Sequence, residues 1–470
     1  MRGTFLQYTR SLAMFVLMGF LALLPVAVGA EALDWEALET ETVSLLSRYL
    51  QVDTSNPPGN EIRAAQFFKA IFDREGIEAK VFESTPGRGT IYARLKGDGS
   101  KRPIILLNHL DVVPADRRFW SVDPFGGVVK DGYIWGRGAL DMKGMGILEL
   151  MAMLILKRQG IPLKRDVIFL GTADEEAGGT YGVGSMVREH FDLFKDAEFV
   201  LNEGGWIALR DGKVWYYGVT VSEKTPFWLK LTATGTPGHG SVPRPDSAVN
   251  KLIVALHRLM NYQTPLKVVP DVQRLYADLA DLEPPERRER LKDLKASLQD
   301  PAFAAEFTKD LVANARVRNT ISITMLEGSN KVNVIPPQAS AQIDTRLLPG
   351  EDPEAFLEEL RRVIGDDSIR IETVLSFPPS ASPIETELFR TIAEVAKKQD
   401  PGAIVTTYFP TGFTDCHFFR EKGIPCYSFI PMKITDQDLA LFHGNDERVS
   451  VENVKFGTRM LYEIVRRLVY

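Results

Sequence analysis

Apolar positions after residue 31 follow two patterns, one typical of helices and one typical of short buried strands. Residues 36–50, 61–75 and 142–157 carry apolar side chains at helical spacing. Apolar runs that are too short for helices predict buried strands at 103–107, 167–170 and 198–201. Strands that alternate with helices in this way predict an α/β fold with a mostly parallel central sheet and helices on both faces.

The pattern changes near residue 225, where polar and apolar positions begin to alternate. From there on, the pattern predicts strands at 227–232 and 339–344 and helices at 246–261 and 353–364. A highly charged stretch with helical spacing, 262–318, lies between them. We therefore expect a second, α+β domain over 225–371, inserted into a first domain that comprises 31–224 and 372–470.

The N-terminal segment has the features of a secretory signal peptide. Arg2 and Arg10 precede an almost purely apolar run over 12–28, and the small residues Val28 and Ala30 suit a cleavage site after Ala30. This predicts a signal peptide over 1–30 and export, to the periplasm, the outside or, in a eukaryote, a vesicular lumen. The run is nearly long enough to span a bilayer, so an uncleaved membrane anchor is the alternative.

Composition indicates a folded protein of several domains. The chain has 470 residues, of which 44% are hydrophobic and 25% charged, and this length is about three times that of one typical domain. The net charge is −6, and we expect no nucleic-acid partner because no overall positive field would attract one. Cys416 and Cys426 either pair in an oxidising compartment or remain free and buried, and the sequence leaves both open.

Residues that commonly bind metals follow each predicted strand of the first domain. They are His109 and Asp111 after the first strand, Glu175 and Glu176 after the second and Glu203 after the third, with Asp141 at the start of the helix 142–157. The carboxyl ends of parallel strands meet at one edge of a sheet, so these side chains are expected to converge there. Taken alone, each of these residues could instead be a buried core histidine, a helix cap or a solvated acid.

The adjacent acids Glu175 and Glu176 are the most informative pair. Two neighbouring carboxylates beside an apolar strand repel each other unless a cation or a proton lies between them. Zinc accepts histidine nitrogen and carboxylate oxygen, and two such metals that share one carboxylate serve hydrolytic chemistry. Asp141 is the candidate for the shared ligand.

Six short segments stand in a fixed order along the chain: HLD at 109–111, GRGALDMKG at 136–144, DEE at 174–176, NEG at 202–204, GHGS at 238–241 and FHGNDE at 442–447. In this order they resemble the co-catalytic zinc peptidases of the M20 family, over a region from about residue 40 to the C-terminus. That family includes carboxypeptidases, desuccinylases and aminoacylases. The resemblance implies a zinc-peptidase catalytic domain and an inserted lid or dimerisation domain.

The resemblance also implies a role for each matching residue in the metal centre. Two zinc ions per chain are expected, one held by His109 and Glu203, the other by Glu176 and His443, with Asp141 as the bridge. Asp111 would orient the imidazole of His109. Glu175 would act as general base toward the attacking water.

Further matching positions would contact the substrate. His239 resembles a histidine that stabilises the oxyanion, and in dimeric relatives it acts in the partner's site, so a homodimer is expected. Asn333 and Arg346 match positions that hold the substrate's carbonyl and terminal carboxylate, and the planar fork of arginine suits a carboxylate. Gly412 and Thr414 match a substrate-contact loop.

Two classes of function fit this set of residues. The first is a dizinc hydrolase that cleaves the amide bond of a small C-terminal peptide or an N-acyl amino acid. The second is a catalytically silent binding module with the same fold, which would be expected to lack some ligands, and the full set favours the hydrolase. Because it has a signal peptide and the stretch 262–318, the chain resembles secreted N-acyl amino acid hydrolases and vacuolar-type carboxypeptidases more than cytosolic desuccinylases.

Overall fold

Two sheets organise the fold in the computed structural model, which describes residues 33–470. The predicted signal peptide, 1–30, lies outside the described residues. The strands are β1 (Glu78–Glu83), β2 (Gly89–Leu95), β3 (Ile104–His109), β4 (Val128–Lys130), β5 (Tyr133–Trp135), β6 (Val167–Thr172), β7 (Phe199–Arg210), β8 (Lys213–Thr220), β9 (Thr225–Thr234), β10 (Gly238–His239), β11 (Thr320–Glu327), β12 (Val334–Ile335), β13 (Gln338–Leu347), β14 (Arg370–Ser376), β15 (Val405–Tyr408), β16 (Cys426–Ile434) and β17 (Arg448–Ser450).

The helices connect and cover these strands. They are α1 (Trp35–Leu50), α2 (Ile62–Arg74), α3 (Lys143–Gln159), α4 (Val183–Glu189), α5 (Ala248–Asn261), α6 (Pro270–Leu279), α7 (Pro285–Lys292), α8 (Leu294–Ser297), α9 (Pro301–Phe307), α10 (Leu311–Arg316), α11 (Pro353–Ile364), α12 (Glu387–Gln399), α13 (Cys416–Glu421), α14 (Asp436–Leu439) and α15 (Val451–Val469). Among the described residues, no helix combines the length and the apolar character needed to cross a membrane.

The central sheet has eight strands in the order β1-β2-β6-β3-β7-β16-β8-β15. The strands β6, β3, β7 and β16 are parallel to their neighbours in this run, whereas β1 and β2 are antiparallel. Every residue of β3 and β6 is buried, as expected for strands covered by helices on both faces. The predicted α/β class with a mainly parallel sheet is confirmed.

The third predicted strand is longer than the apolar run 198–201 indicated. Strand β7 continues to Arg210, so Glu203 lies within it instead of after its end. The pairing with β16 is irregular here, because the register shifts between Ser428 and Ile430. Gly204 has a φ of 122°, a conformation that glycine adopts at little cost. The strand resumes beyond this irregularity by pairing with β8.

The second sheet is antiparallel, in the order β11-β13-β9-β14. Alternate residues of β9 point to a core that it shares with α5 and α11. Helix α11 has strong terminal signals, since Asp352 caps its N-terminus and Gly365 ends it in a left-handed conformation with φ 59°. Strand β14 ends at Ser376, beyond the predicted boundary at 371, because its last residues still pair with β9.

The charged stretch 262–318 folds into the short helices α6 to α10. They enclose a small apolar core that includes Val272, Leu294 and Phe307, and this core also contains Phe409. In the described structure Cys416 and Cys426 form a disulfide with Cα atoms 5.3 Å apart. The disulfide joins the start of α13 to the start of β16, which answers the question that the sequence left open.

Candidate metal centre and substrate cavity

His109, Asp141 and Glu203 form the first of two groups of potential metal ligands. One ligand atom from each residue lies within 4.8 Å of the others. The Nε2 atom of His109 is 3.1 Å from Asp141 Oδ1 and 3.3 Å from Glu203 Oε1. His109 is the last residue of β3, and Glu203 is in the neighbouring strand β7. The sheet therefore brings these two side chains together.

Asp141, Glu176 and His443 form the second group. The Nε2 atom of His443 is 3.1 Å from Asp141 Oδ2 and 3.1 Å from Glu176 Oε2. Asp141 thus turns one carboxylate oxygen toward each histidine. Its side chain does not cap the helix that follows, since the N-cap residue of α3 is Met142. The five residues predicted as metal ligands lie together in this arrangement.

Asp111 supports the site with both its backbone and its side chain. Its backbone carbonyl accepts a hydrogen bond from His109 Nδ1 at 2.9 Å, whereas its carboxylate is 3.5 Å from that nitrogen. The carboxylate instead accepts hydrogen bonds from the backbone N–H groups of Glu175 and Glu176, each at 3.1 Å. Asp111 therefore orients the imidazole chiefly through its backbone and holds the Glu175–Glu176 turn with its carboxylate.

The acidic groups of the site are buried close to one another. Burial raises the pKa of Glu203 to about 7, and burial together with the neighbouring Asp141 raises the pKa of Glu176. Hydrogen bonds to Asp141 and Glu176 raise the pKa of His443 to about 10. Burial raises the pKa of Glu175 well above its usual value, and the Glu203 carboxylate adds to this effect. A cluster with these shifts favours positive charge, either bound protons or cations.

The donor set matches a divalent metal. Each group offers one imidazole nitrogen and two carboxylate oxygens, which are ligands that zinc accepts. The second oxygen of Glu176, Oε1, is buried and has no hydrogen-bond partner among the described residues. Buried polar atoms are rarely left unpaired, and a cation would satisfy this one. The residues present therefore fit a metal centre.

A cavity of about 340 Å³ opens onto both groups. Glu175 lies in its wall together with Asp141, Glu176, Glu203 and His443. The remaining lining is largely aromatic and aliphatic, with one arginine; it consists of Gly204, Trp206, Trp228, Arg346, Pro410, Gly412, Phe413, Thr414, Ile430 and Phe442. The two groups of potential metal ligands thus line the same cavity as apolar side chains suited to an apolar part of a ligand.

Arg346 and the loop around Thr414 reach this cavity from different parts of the chain. The guanidinium of Arg346 donates two hydrogen bonds to Asp344, at 2.7 and 3.0 Å, and lies 5.2 Å from the ring centre of Phe413. Its Nη1 atom is buried and unpaired within residues 33–470. Thr414 donates its hydroxyl to the buried Glu223 at 2.8 Å. Both predicted loop residues, Gly412 and Thr414, line the cavity.

His239 and Asn333 do not line this cavity in the described part of a single chain. His239 is exposed at the end of β10, and its Nδ1 atom contacts the hydroxyl of Ser241 at 2.7 Å. The backbone carbonyl of Asn333 accepts a hydrogen bond from Gly240 at 2.8 Å, so these two predicted residues are neighbours. Both belong to the short β10–β12 pairing or lie directly next to it.

Sequence reasoning missed several residues of the site. Asp415 is fully buried beside it, accepts a hydrogen bond from Thr172 at 3.0 Å, and has its pKa raised to about 8 by burial. Its position directly after Thr414 could have indicated from the sequence that Asp415 belongs to the site. No feature of the sequence indicated that Trp206, Trp228 and Phe413 would line the cavity, because isolated aromatic residues are more often part of a core.

A model of peptidase family M20/M25/M40 matches residues 105–467, well over half of the chain. Probable carboxypeptidase S-like 2 of Dictyostelium discoideum is 30% identical over 384 residues, which cover 78% of this chain and 72% of that protein. The N-fatty-acyl-amino acid synthase/hydrolase PM20D1 of Bos taurus is 30% identical over 451 residues, covering 92% of this chain and 86% of the relative.

A solved structure agrees with the fold. The M20 family metallo-carboxypeptidase Sso-CP2 of Sulfolobus solfataricus superposes with a TM-score of 0.69 at 21% identity, covering 91% of this chain and 98% of that one. At this identity the likeness concerns the fold alone.

Proposed function

Since the chain belongs to peptidase family M20/M25/M40 and is a hydrolase of the metallopeptidase kind, we propose that it is a dizinc enzyme that cleaves the amide bond of C-terminal peptides or N-acyl amino acids. One observation carries the proposal: the Asp141 carboxylate lies between two groups that each contain a histidine and a glutamate. The complete ligand set disfavours the alternative of a silent binding module.

In this proposal His109 and Glu203 hold one zinc, Glu176 and His443 hold the other, and Asp141 is shared. Bound zinc supplies Lewis acidity, which polarises the substrate's carbonyl and makes water a better nucleophile at neutral pH. The unpaired Oε1 of Glu176 and the burial of the cluster support the presence of cations here.

Glu175 is the proposed general base. Its carboxylate takes a proton from the attacking water and passes it to the nitrogen of the leaving amine, which cannot leave as an anion. Two features support this role. Glu175 lines the cavity beside the ligands without belonging to either group, and its backbone N–H donates a hydrogen bond to the Asp111 carboxylate.

Arg346 is proposed to bind the free carboxylate of the substrate. The two hydrogen bonds to Asp344 fix the guanidinium plane, and the unpaired Nη1 atom remains for a ligand. Arginine binds carboxylates through charge-assisted hydrogen bonds in a fixed geometry. A carboxylate at this position would lie within the same cavity as Glu175.

The apolar walls support an apolar acyl group or side chain on the other part of the substrate. Trp206 lies 6.2 Å from Phe442 between ring centres, and Trp228 lies 6.4 Å from Phe413, so aromatic pairs line the cavity. Burial of apolar surface against them would add roughly 25 cal/mol per Å² to binding. The Bos taurus relative, an N-fatty-acyl-amino acid synthase/hydrolase by name, agrees with such a substrate.

We also propose that the protein is a homodimer in which His239 and Asn333 act at the partner's cavity. Their exposure and their separation from the cavity of their own chain support this arrangement. A two-fold axis would make the exchange reciprocal.

Export is proposed as well, on the pattern of residues 1–30. The Cys416–Cys426 disulfide supports it, because disulfides persist chiefly in oxidising compartments. Sequencing the N-terminus of protein recovered from the exported fraction tests this; a chain that retains residues 1–30 inside the cell would contradict it.

A hydrolysis screen tests the function. Purified zinc-loaded protein is assayed against dipeptides and N-acyl amino acids of graded acyl length, with the metal-free protein as control. We expect turnover only with metal and a preference for apolar acyl groups or side chains. Absence of turnover on every amide with metal bound would contradict the proposal.

A further inference from the structure

The carboxylate of Asp111 is the shared acceptor beneath the Glu175–Glu176 turn. It is completely buried, and each of its oxygens accepts one backbone N–H of that turn at 3.1 Å. The turn also contains Asp174, which has a φ of 73°, in the left-handed region that non-glycine residues rarely occupy. A turn with this backbone conformation persists only when its surroundings stabilise it.

The side-chain amide of Asn56 joins the two acids. Its Nδ2 atom donates to Asp111 Oδ2 at 2.8 Å and lies 3.4 Å from Asp174 Oδ1. Its oxygen accepts a hydrogen bond from Arg88 Nη2 at 3.0 Å. Because guanidinium can only donate, this bond fixes the amide orientation and directs the N–H groups of Asn56 toward the two carboxylates.

Arg88 also compensates the charge of this region. Its Nη1 atom lies 2.6 Å from Glu61 Oε1 and 3.3 Å from Asp174 Oδ1. Glu61 and Asp174 are buried, and buried carboxylates are costly without a partner. Gly59 lies against the guanidinium, with a φ of 81°, and a Cβ atom there would come within 2.2 Å of Arg88 Nη1. The chain thus leaves room for Arg88.

We propose that Asn56 and Arg88 are positioning residues for the reaction: through Asp111 and Asp174 they fix the turn that presents the base Glu175 and the metal ligand Glu176. The inference rests on the proposed function. As far as residues 33–470 define the cavity, neither residue lines it. Their removal should therefore affect turnover and metal affinity more than substrate binding.

The test compares Asn56→Asp and Arg88→Lys with the wild-type protein. The first keeps the shape of the side chain but puts an acceptor opposite Asp111, and the second keeps the charge but loses the fork that joins Asn56 to Glu61. We expect kcat to fall roughly 10–100-fold, the range seen when groups behind metal ligands are replaced. KM should stay within about twofold, because neither side chain lines the cavity that, in the described part of the chain, would bind the substrate. Zinc affinity, measured by competition with a chelator, should fall at one of the two sites.

Arg94→Lys is the matched control. Arg94 lies in β2, which begins directly after Arg88, and it pairs with the buried Asp166; within residues 33–470 its contacts do not reach Asp111. The Arg94→Lys variant should lose about as much thermal stability as Arg88→Lys, but its kcat and zinc affinity should be unchanged.

Unchanged kcat and zinc affinity in Asn56→Asp would overturn the inference, and so would equal losses in Arg94→Lys. If Asn56→Asp does not fold, Asn56→Ser with the same two readouts decides in the same way. Zinc affinity is measured without substrate, so the inference is tested even if the wild-type protein hydrolyses none of the amides, an outcome that would contradict only the proposed function.

Discussion

The backbone N–H of Asp141 donates a hydrogen bond of 3.1 Å to the carboxylate of Glu447, 306 positions further along the chain. The same carboxylate accepts from Gly138 at 2.9 Å and from Leu140 at 2.8 Å, and it pairs with the buried Arg137 at 2.7 Å. Arg137 in turn donates to the carbonyl of Gly444, directly after His443. The loops that carry Asp141 and His443 are therefore joined through one buried ion pair.

Glu447→Gln should destabilise the protein because it leaves Arg137 buried without its counter-charge. Breaking a buried pair in this way costs about 3–5 kcal/mol. Urea denaturation measures the loss, with Glu463→Gln as control, since Glu463 pairs with partly exposed arginines near the C-terminus and should cost at most ~1 kcal/mol. Equal effects of the two substitutions would show that the Glu447 pair does not stabilise the site.

Glu175→Gln tests the assignment of the base. Glutamine keeps the shape of the side chain but cannot accept the proton, so kcat should fall by about 10²–10⁴, the usual contribution of general acid–base catalysis. Metal analysis of the same preparation should give an unchanged zinc content. Loss of zinc would mean instead that Glu175 is a ligand and that the roles of Glu175 and Glu176 are exchanged.

Arg346→Lys tests the carboxylate site. Lysine keeps the charge but not the planar fork, so binding of substrates with a free carboxylate should weaken roughly tenfold to a hundredfold, the size of a lost charge-assisted hydrogen bond. The corresponding amides, which lack the negative charge, should bind almost as before. KM values for matched acid and amide substrates measure the difference, and an equal loss for both would rule out this role.

His239 is tested by complementation between two inactive variants, Glu175→Gln and His239→Ala. If His239 acts in the partner's cavity, one site of the heterodimer keeps both an intact base and an intact His239, so activity returns. If it acts in its own chain, both sites remain defective. Refolded mixtures that contain proven heterodimer and remain inactive would contradict the dimer proposal.

The sheet and the position of the acids near its edge could be predicted because short apolar runs precede them directly in the chain. The end of the third strand could not, since β7 continues past Glu203 through an irregular pairing with β16, next to Gly204 with its positive φ. Apolar character along one segment carries no information about such a partner strand.

The contacts that hold the site were also beyond sequence reasoning. Asn56 and Asp111 are 55 positions apart, and Glu447 and Asp141 are 306 apart. Asn56 lies in a Pro- and Gly-rich loop that the pattern indicates only as a break between helices. Which polar side chain of a loop faces a buried carboxylate is decided by tertiary packing.

The zinc content of protein purified without chelators shows whether the Asp141 carboxylate is shared by two metals. Asp141 turns one oxygen toward each histidine, so we expect close to two zinc ions per chain. Asp141→Ala should lose both, whereas His443→Ala should lose mainly one. A wild-type content near zero or one, in protein with full activity, would contradict the shared-carboxylate site.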